Sequence, residues 1–261
     1  MKFYYTNEEG RRTMQIEVVA DKAALGEVAA ERILQAYDAG ALQVLGVATG
    51  GTPISTYREL ARRSDGRLHD IRLAALDEYV GLPADHPGSY TTFVREQIAE
   101  PLGIPHGQVG VPRAEADDLA AAAANFERQL QENGGVDLQI LGIGANGHIG
   151  FNEPGSQVDS RTRAVTLADR TRRDNARFFD SPEDVPHEAL TQGIGTILEA
   201  RSILLLASGA RKAEALARAM EQTPTAECPA SWLQLHPAVF VVADEAAAAS
   251  LSPDSLLRQE V

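Results

Sequence analysis

At 261 residues, 44% hydrophobic and 23% charged, the chain is long enough for one large domain or two small ones, and its composition is that of an ordinary soluble protein. A net charge of −13 argues against non-specific nucleic-acid binding, and no apolar run is long enough to span a membrane. One cysteine, Cys228, excludes an intrachain disulfide framework and suits a reducing cytoplasm.

Residues 1–13 are polar and read as a flexible leader, leaving 14–261 as a single domain. Met14 to Ala20 predicts a first strand. Asp21 to Ala39 predicts a helix capped by Asp21, with Leu25, Val28, Ala29, Ile33 and Leu34 as its apolar stripe. Leu42 to Ala48 predicts a buried strand that runs into Thr49-Gly50-Gly51-Thr52-Pro53 and a helix through about Arg62. Thr52 suits the cap and Pro53 the first helical position. The two glycines let the backbone approach an anion at the helix mouth. No Gly-Lys-Ser/Thr follows, so this is not a P-loop. Ile71 to Leu76 predicts a third strand ending at Asp77-Glu78-Tyr79, where acids suit general-base work or a metal. With His86 as the only histidine in the following loop, the metal is the weaker reading. Ser89 starts a helix to Ile98. Val109 to Val111 reads as a short strand, and Ala114 to Gln131 as a helix stopped by Asn133-Gly134-Gly135.

Val136 to Gly155 organises the rest. An apolar run ends in glycines, followed at once by Asn146, His148 and Glu153, which places these groups beyond the carboxyl end of a strand. Gly142-x-Gly144-x-x-Gly147 matches a dinucleotide fingerprint, but that motif needs a helix to open inside it. Gly150, Pro154 and Gly155 oppose one. Six arginines and two acids lie between Arg161 and Arg177, a local excess of basic charge in an acidic chain. Ala164 to Leu167 predicts a strand, and Asp169 the start of a helix. Thr191-Gln192-Gly193-Ile194-Gly195 leads into a helix to Ala200. Ser202 to Ala207 predicts a buried strand, and the helix that follows to Met220 has Lys212, one of three lysines, at its mouth. Ala238 to Val242 is the last predicted strand. Strands alternate with helices throughout, which predicts an α/β, doubly wound, mostly parallel sheet with helices on both faces.

The strand ends supply a base (Asp77), an imidazole with flanking orienters (His148, Asn146, Glu153) and anion ligands (Thr49 to Thr52, Arg177, Lys212). With no nucleophilic Ser or Cys in the set, this kit fits proton transfer on a sugar phosphate. The same residues also fit plain structural roles: a loop histidine, and carboxylates that cap turns.

Ala48-Thr49-Gly50-Gly51-Thr52-Pro53, Leu76-Asp77-Glu78-Tyr79-Val80-Gly81-Leu82 with His86-Pro87-Gly88-Ser89-Tyr90, and Gly142 through Pro154 resemble the glucosamine-6-phosphate deaminase family. So do Ser160-Arg161-Thr162-Arg163, Asn175-Ala176-Arg177-Phe178-Phe179 and Leu233-Gln234-Leu235-His236-Pro237. The resemblance covers about Met14 to Ala243. It implies a Rossmann-like fold shared with 6-phosphogluconolactonase. It also implies conversion of glucosamine 6-phosphate and water to fructose 6-phosphate and ammonia, without metal or organic cofactor. By position it makes Asp77 the base that moves a proton from C2 to C1, His148 the ring-opening acid/base and Glu153 its partner. Arg177, Lys212 and the Gly50-Gly51-Thr52 turn become phosphate ligands.

Many members of that family have Asp where this chain has Asn146. Regulated hexameric members bind N-acetylglucosamine 6-phosphate through an arginine matching Arg163, a lysine two positions later and the amino terminus. Here that lysine position is Val165 and the amino terminus reads as extended. The expectation is a monomer or small homo-oligomer with little or no activation by that effector. The rival readings are a 6-phosphogluconolactonase-like hydrolase and a sugar-phosphate sensor without catalysis. The segment from Ser160 to Phe179 is the expected cover of the site.

Overall fold

The structure is a computed structural model that describes residues 2–6, 12–176, 179, 181–252 and 257–258. In chain order the elements are β1 (Lys2–Thr6), β2 (Arg12–Val19), α1 (Lys22–Asp38), β3 (Val44–Val47), α2 (Ile54–Arg63), β4 (Arg72–Ala75) and β5 (Asp77–Tyr79). Then come α3 (Tyr90–Val94), α4 (Glu100–Leu102), β6 (Val109–Gly110), α5 (Leu119–Glu132), β7 (Leu138–Gly142), β8 (Arg163–Thr166) and α6 (Asp169–Asn175). The rest are β9 (Glu188–Thr191), α7 (Ile194–Leu198), β10 (Ser202–Ala207), α8 (Ala213–Glu221), β11 (Val239–Asp244), α9 (Glu245–Ala248) and β12 (Leu257–Arg258).

The main sheet runs β12-β1-β2-β11-β10-β7-β3-β4-β6. Its seven strands from β2 to β6 are parallel, which gives the expected mostly parallel α/β domain. The continuous apolar runs of its central strands explain the burial on both faces: Leu45, Val47, Ile140, Leu141 and Ile203 to Leu206 are essentially inaccessible. From β3 the chain proceeds outward to β4 and β6, while from β7 it proceeds the other way, to β10 and β11. The strand order therefore reverses between β3 and β7. Right-handed crossovers in opposite directions put their helices on opposite faces, and the carboxyl ends of β3 and β7 splay apart as a crevice.

Four strands, β1, β5, β9 and β12, arise where none was expected. Lys2–Thr6, inside the stretch read as a leader, pairs antiparallel with β2. Asp77–Tyr79 continues almost directly from β4 but leaves the main sheet. With β9 and β8 it forms a small antiparallel sheet in which Asp77 is opposite Thr191. Helix α5 begins five residues later than expected, because the Asp118 side chain accepts the Ala121 N–H and sets the cap there. The helix expected from Ser89 starts on that cap, with the Thr92 N–H donated to Ser89 Oγ, and reaches Leu102 through a π-helical turn at Arg95–Ala99.

Candidate active site

A cleft of about 550 Å³ opens at the β3/β7 crevice. It brings together Thr49, Gly50, Gly51 and Thr52 beyond β3, Asp77 beyond β4, Asn146 and His148 beyond β7, and Lys212 beyond β10. Glu153 stands behind His148. Arg177 lies outside the described residues.

The turn after β3 is fixed from below by Tyr57. Its buried hydroxyl donates to the Ala48 carbonyl at 2.7 Å and accepts the Ala48 N–H at 3.1 Å. The expected Thr52 cap is not made. Pro53 is itself the N-cap of α2 and no side chain caps the first turn, while Ser55 Oγ donates to the Thr52 carbonyl at 3.3 Å. Proline fits this position because its fixed φ suits the helix entry. The uncapped first-turn N–H groups and the dipole they carry suit an anion at this mouth.

Beyond β7 no helix opens between Gly142 and Gly155, as the placement of Gly150 and Pro154 predicts. The loop instead folds back on itself, with the Gly144 N–H donated to the His148 carbonyl at 2.8 Å and the Gly147 N–H to the Gly144 carbonyl at 3.0 Å. Asn146 holds both partners of the acid/base pair. Its Oδ1 accepts the His148 N–H at 3.2 Å, and its Nδ2 donates to Glu153 Oε2 at 2.7 Å. Glu153 Oε2 is 3.6 Å from His148 Nδ1. Burial works against ionised Glu153, but the neighbouring His148, the Thr171 hydroxyl and the Asn146 amide outweigh it and hold the carboxyl at about 2. The carboxylate is therefore ionised at any working pH. Asn146→Asp would set a second carboxylate beside both groups and favour the imidazolium. The upper apparent pKa of the His148–Glu153 pair is expected to rise in the pH–rate profile; an unmoved limb would contradict this role for position 146.

Asp77 is 4% exposed, and burial, then the charge of Glu78, pushes its carboxyl up to about 8. Glu78 is not available as a metal ligand or a base. Its carboxylate accepts the N–H groups of Tyr79, Tyr90 and Thr91 and the Thr91 hydroxyl, and so caps α3. That cap sets Tyr90 on the cleft wall. The Tyr90 hydroxyl donates to Tyr79 Oη at 3.2 Å and is hydrogen-bonded to Thr49. Phe151 and Phe179 pack around Tyr79, so the base sits against an aromatic, poorly hydrated wall. Among the described residues no group of three or more His, Cys, Asp or Glu is placed to hold a metal ion.

The arginine cluster divides. Arg161 pairs with Glu127 and Glu199, and Arg163 donates to Asn152 Oδ1 at 2.9 Å. Arg172 donates to the Val185 carbonyl at 3.0 Å. Of the five described, only Arg170 and Arg173 line the cleft, where Lys22 and Arg211 add two more cations. Three further residues were given no site role by the sequence reading. Asp244 accepts the Ser208 hydroxyl and the Gly209 N–H and so braces the turn before Lys212. Tyr90 and Thr171 stand on the cleft wall. The signal for Tyr90 was its place one residue after the Ser89 cap, and none singles out Thr171 in an arginine-rich helix.

A family model described as glucosamine-6-phosphate isomerases/6-phosphogluconolactonase matches residues 19–241. The glucosamine-6-phosphate deaminase of Cutibacterium acnes is 52% identical over 92% of this chain and 93% of its own length. That of Streptomyces coelicolor is 51% identical over 91% and 93%. A solved monomeric glucosamine-6-phosphate deaminase superposes with a TM-score of 0.87 at 41% identity, covering 90% of this chain and 99% of that one. The 6-phosphogluconolactonase of Trypanosoma cruzi shares the fold, with a TM-score of 0.70 at 23% identity over 91% of this chain and 96% of that one. With a family match over residues 19–241 and relatives about half identical along most of its length, the chain belongs to the glucosamine-6-phosphate isomerase/6-phosphogluconolactonase family.

Proposed function

We propose that the chain is a glucosamine-6-phosphate deaminase that converts glucosamine 6-phosphate and water to fructose 6-phosphate and ammonia. The observation that carries this is a buried base, Asp77, in the same cleft as an imidazole backed by an ionised carboxylate and an anion mouth at Thr49–Thr52. In this reading the Gly50-Gly51-Thr52 turn, Lys212 and Arg177 hold the phosphate. His148 moves a proton between the C1 hydroxyl and the ring oxygen and opens the pyranose. Asp77 takes the C2 proton and returns it to C1, which turns the aldosamine into a C2 imine. Water adds at C2, ammonia leaves, and the ketose remains. Each step is a proton shift or addition of water, so no metal or organic cofactor is required.

A lactonase would hydrolyse an ester at C1 and has no use for a base acting at C2, so a buried carboxyl at Asp77 supports the deaminase reading. A sensor would need neither Asp77 nor the His148–Glu153 pair. Equal release of ammonia and fructose 6-phosphate from glucosamine 6-phosphate, unaffected by EDTA, is the expected result. Phosphate-sensitive folding without release would move the assignment to the lactonase or the sensor.

We further propose a monomer or small oligomer working in the cytoplasm without effector control. The half-buried Arg163 is turned inward onto Asn152 and Ser156, and Val165 stands two residues on. Rates are expected to be hyperbolic in substrate and unchanged by N-acetylglucosamine 6-phosphate. Sigmoidal rates made hyperbolic by it would overturn this.

A further inference from the structure

Helix α6 presents two side chains to the site from one face. Thr171 and Asn175 are four residues apart and so lie one above the other on a helix. Asn175 is hydrogen-bonded to the Tyr79 phenol on the aromatic wall. Thr171, 6% exposed, donates its hydroxyl to Glu153 Oε1. Arg172, on the other side of the helix, is tied to the Val185 carbonyl, and Leu167 anchors the approach to α6 in the aromatic cluster.

Glu153 is thus held at both oxygens. Oε2 accepts from Asn146 and faces His148, while Oε1 is occupied by Thr171. A carboxylate turns about its last torsion with a broad, two-fold preference, so one donor alone does not fix its plane. Two donors on different oxygens, from two different elements, do. The Nδ1 of His148 makes no hydrogen bond among the described residues, and its distance of 3.6 Å to Oε2 leaves the pair sensitive to any rotation of the carboxylate.

We infer that Thr171 is a positioning residue for the His148–Glu153 pair: its hydroxyl locks the carboxylate plane that orients the imidazole, and so makes the seating of α6 on the cleft a condition for ring opening. This rests on the deaminase reading for its kinetic consequence but not for its geometry. The charged groups that line the cleft with the pair are Lys22, Asp77, Arg170, Arg173, Arg211 and Lys212, and Arg218 donates to the Asn146 carbonyl at 3.5 Å.

The test uses two substitutions that split the side chain. Thr171→Val keeps the shape of the side chain and removes the donor; Thr171→Ser keeps the donor and removes the methyl. Thr171→Val is expected to lower kcat by about 10- to 100-fold, the worth of one hydrogen bond to a buried charge, with KM within about threefold. Thr171→Ser is expected to stay within about threefold of the parent. A packing role would give the reverse order, with Ser impaired and Val near normal. NMR titration of the His148 ring reads the pair without turnover. In Thr171→Val the titration curve is expected to move to lower pH than in the parent, because a carboxylate free to turn away stabilises the imidazolium less. An unmoved titration in the Val variant overturns the inference. A protein that makes no ammonia but shows the titration shift overturns the deaminase reading alone.

Discussion

Asp77→Asn is expected to slow turnover by orders of magnitude and, at alkaline pH, to make the protein harder to unfold. Both effects come from the burial that leaves the carboxyl 4% exposed and, with the charge of Glu78, pushes its pKa up to about 8. In the unfolded chain the same group titrates near 4. The folded state therefore holds the proton more tightly. Below about pH 4 both states are protonated and Asp77 costs nothing. As pH rises from about 4 to about 8 the unfolded state gains by ionising while the folded state does not, and stability is lost through that window. An amide cannot ionise, so the variant escapes the loss. The gain is on the order of 3 to 5 kcal/mol above pH 8 and vanishes below pH 4. Urea midpoints of parent and variant at pH 5 and pH 9 measure it: the gap should widen with pH, and parallel curves would refute the raised pKa. Loss of the base should cost about 10²- to 10⁴-fold in kcat. In the parent, kcat/KM should rise with pH through about 8, because a general base must first lose its proton.

What the sequence made legible follows from how each signal is encoded. Buried parallel strands are written as unbroken apolar runs, and Ser202–Ala207 is read to the residue. Strand-turn-helix mouths are written in glycine and proline, so Thr49–Pro53 and Gly142–Gly147 were readable as site loops. Of the small antiparallel sheet only β8, expected at Ala164 to Leu167, was readable. The other two strands are three and four residues long, and Asp77-Glu78-Tyr79 and Glu188-Ala189-Leu190-Thr191 carry too few alternations to stand out. Side-chain placement was readable where chemistry restricts the residue type, as at His148, which lines the cleft. It was hidden where a common residue does its work through a neighbour. Glu78 reads as a second acid beside a base, yet its carboxylate is committed to four donors that build α3. The arginine run reads as one basic patch, yet Arg161, Arg163 and Arg172 are turned away to hold loops in place.

Gly144→Ala is expected to lower kcat/KM by about 10²-fold with little loss of stability, and Gly147→Ala, three residues on, to do the opposite. At Gly144 the backbone does not have a positive φ, so alanine meets no backbone strain. The added Cβ, however, would lie 2.3 Å from both Cε1 and Nδ1 of His148. Ordinary contact needs more than a further ångström, and the imidazole, partly exposed on the cleft, is what gives way. Displacement of an acid/base group by about 1 Å costs on the order of 10²-fold. The phosphate turn is untouched, so binding of an acyclic amino-alditol phosphate, which needs no ring opening, should stay within about threefold. At Gly147 φ is +93°, where a side chain is strained, and a Cβ would lie 2.6 Å from the buried Cys228 Sγ. The neighbour there is packed in the core and cannot swing into solvent, so the cost falls on folding, on the order of 1 to 3 kcal/mol. Parallel measurement of melting temperature and kcat/KM in the two variants separates the roles. If Gly144→Ala keeps full activity, the ring finds another productive pose and the close approach of Gly144 to His148 has no part in catalysis. If Gly147→Ala melts like the parent, the loop yields at that point and the contact with Cys228 does not hold it in place.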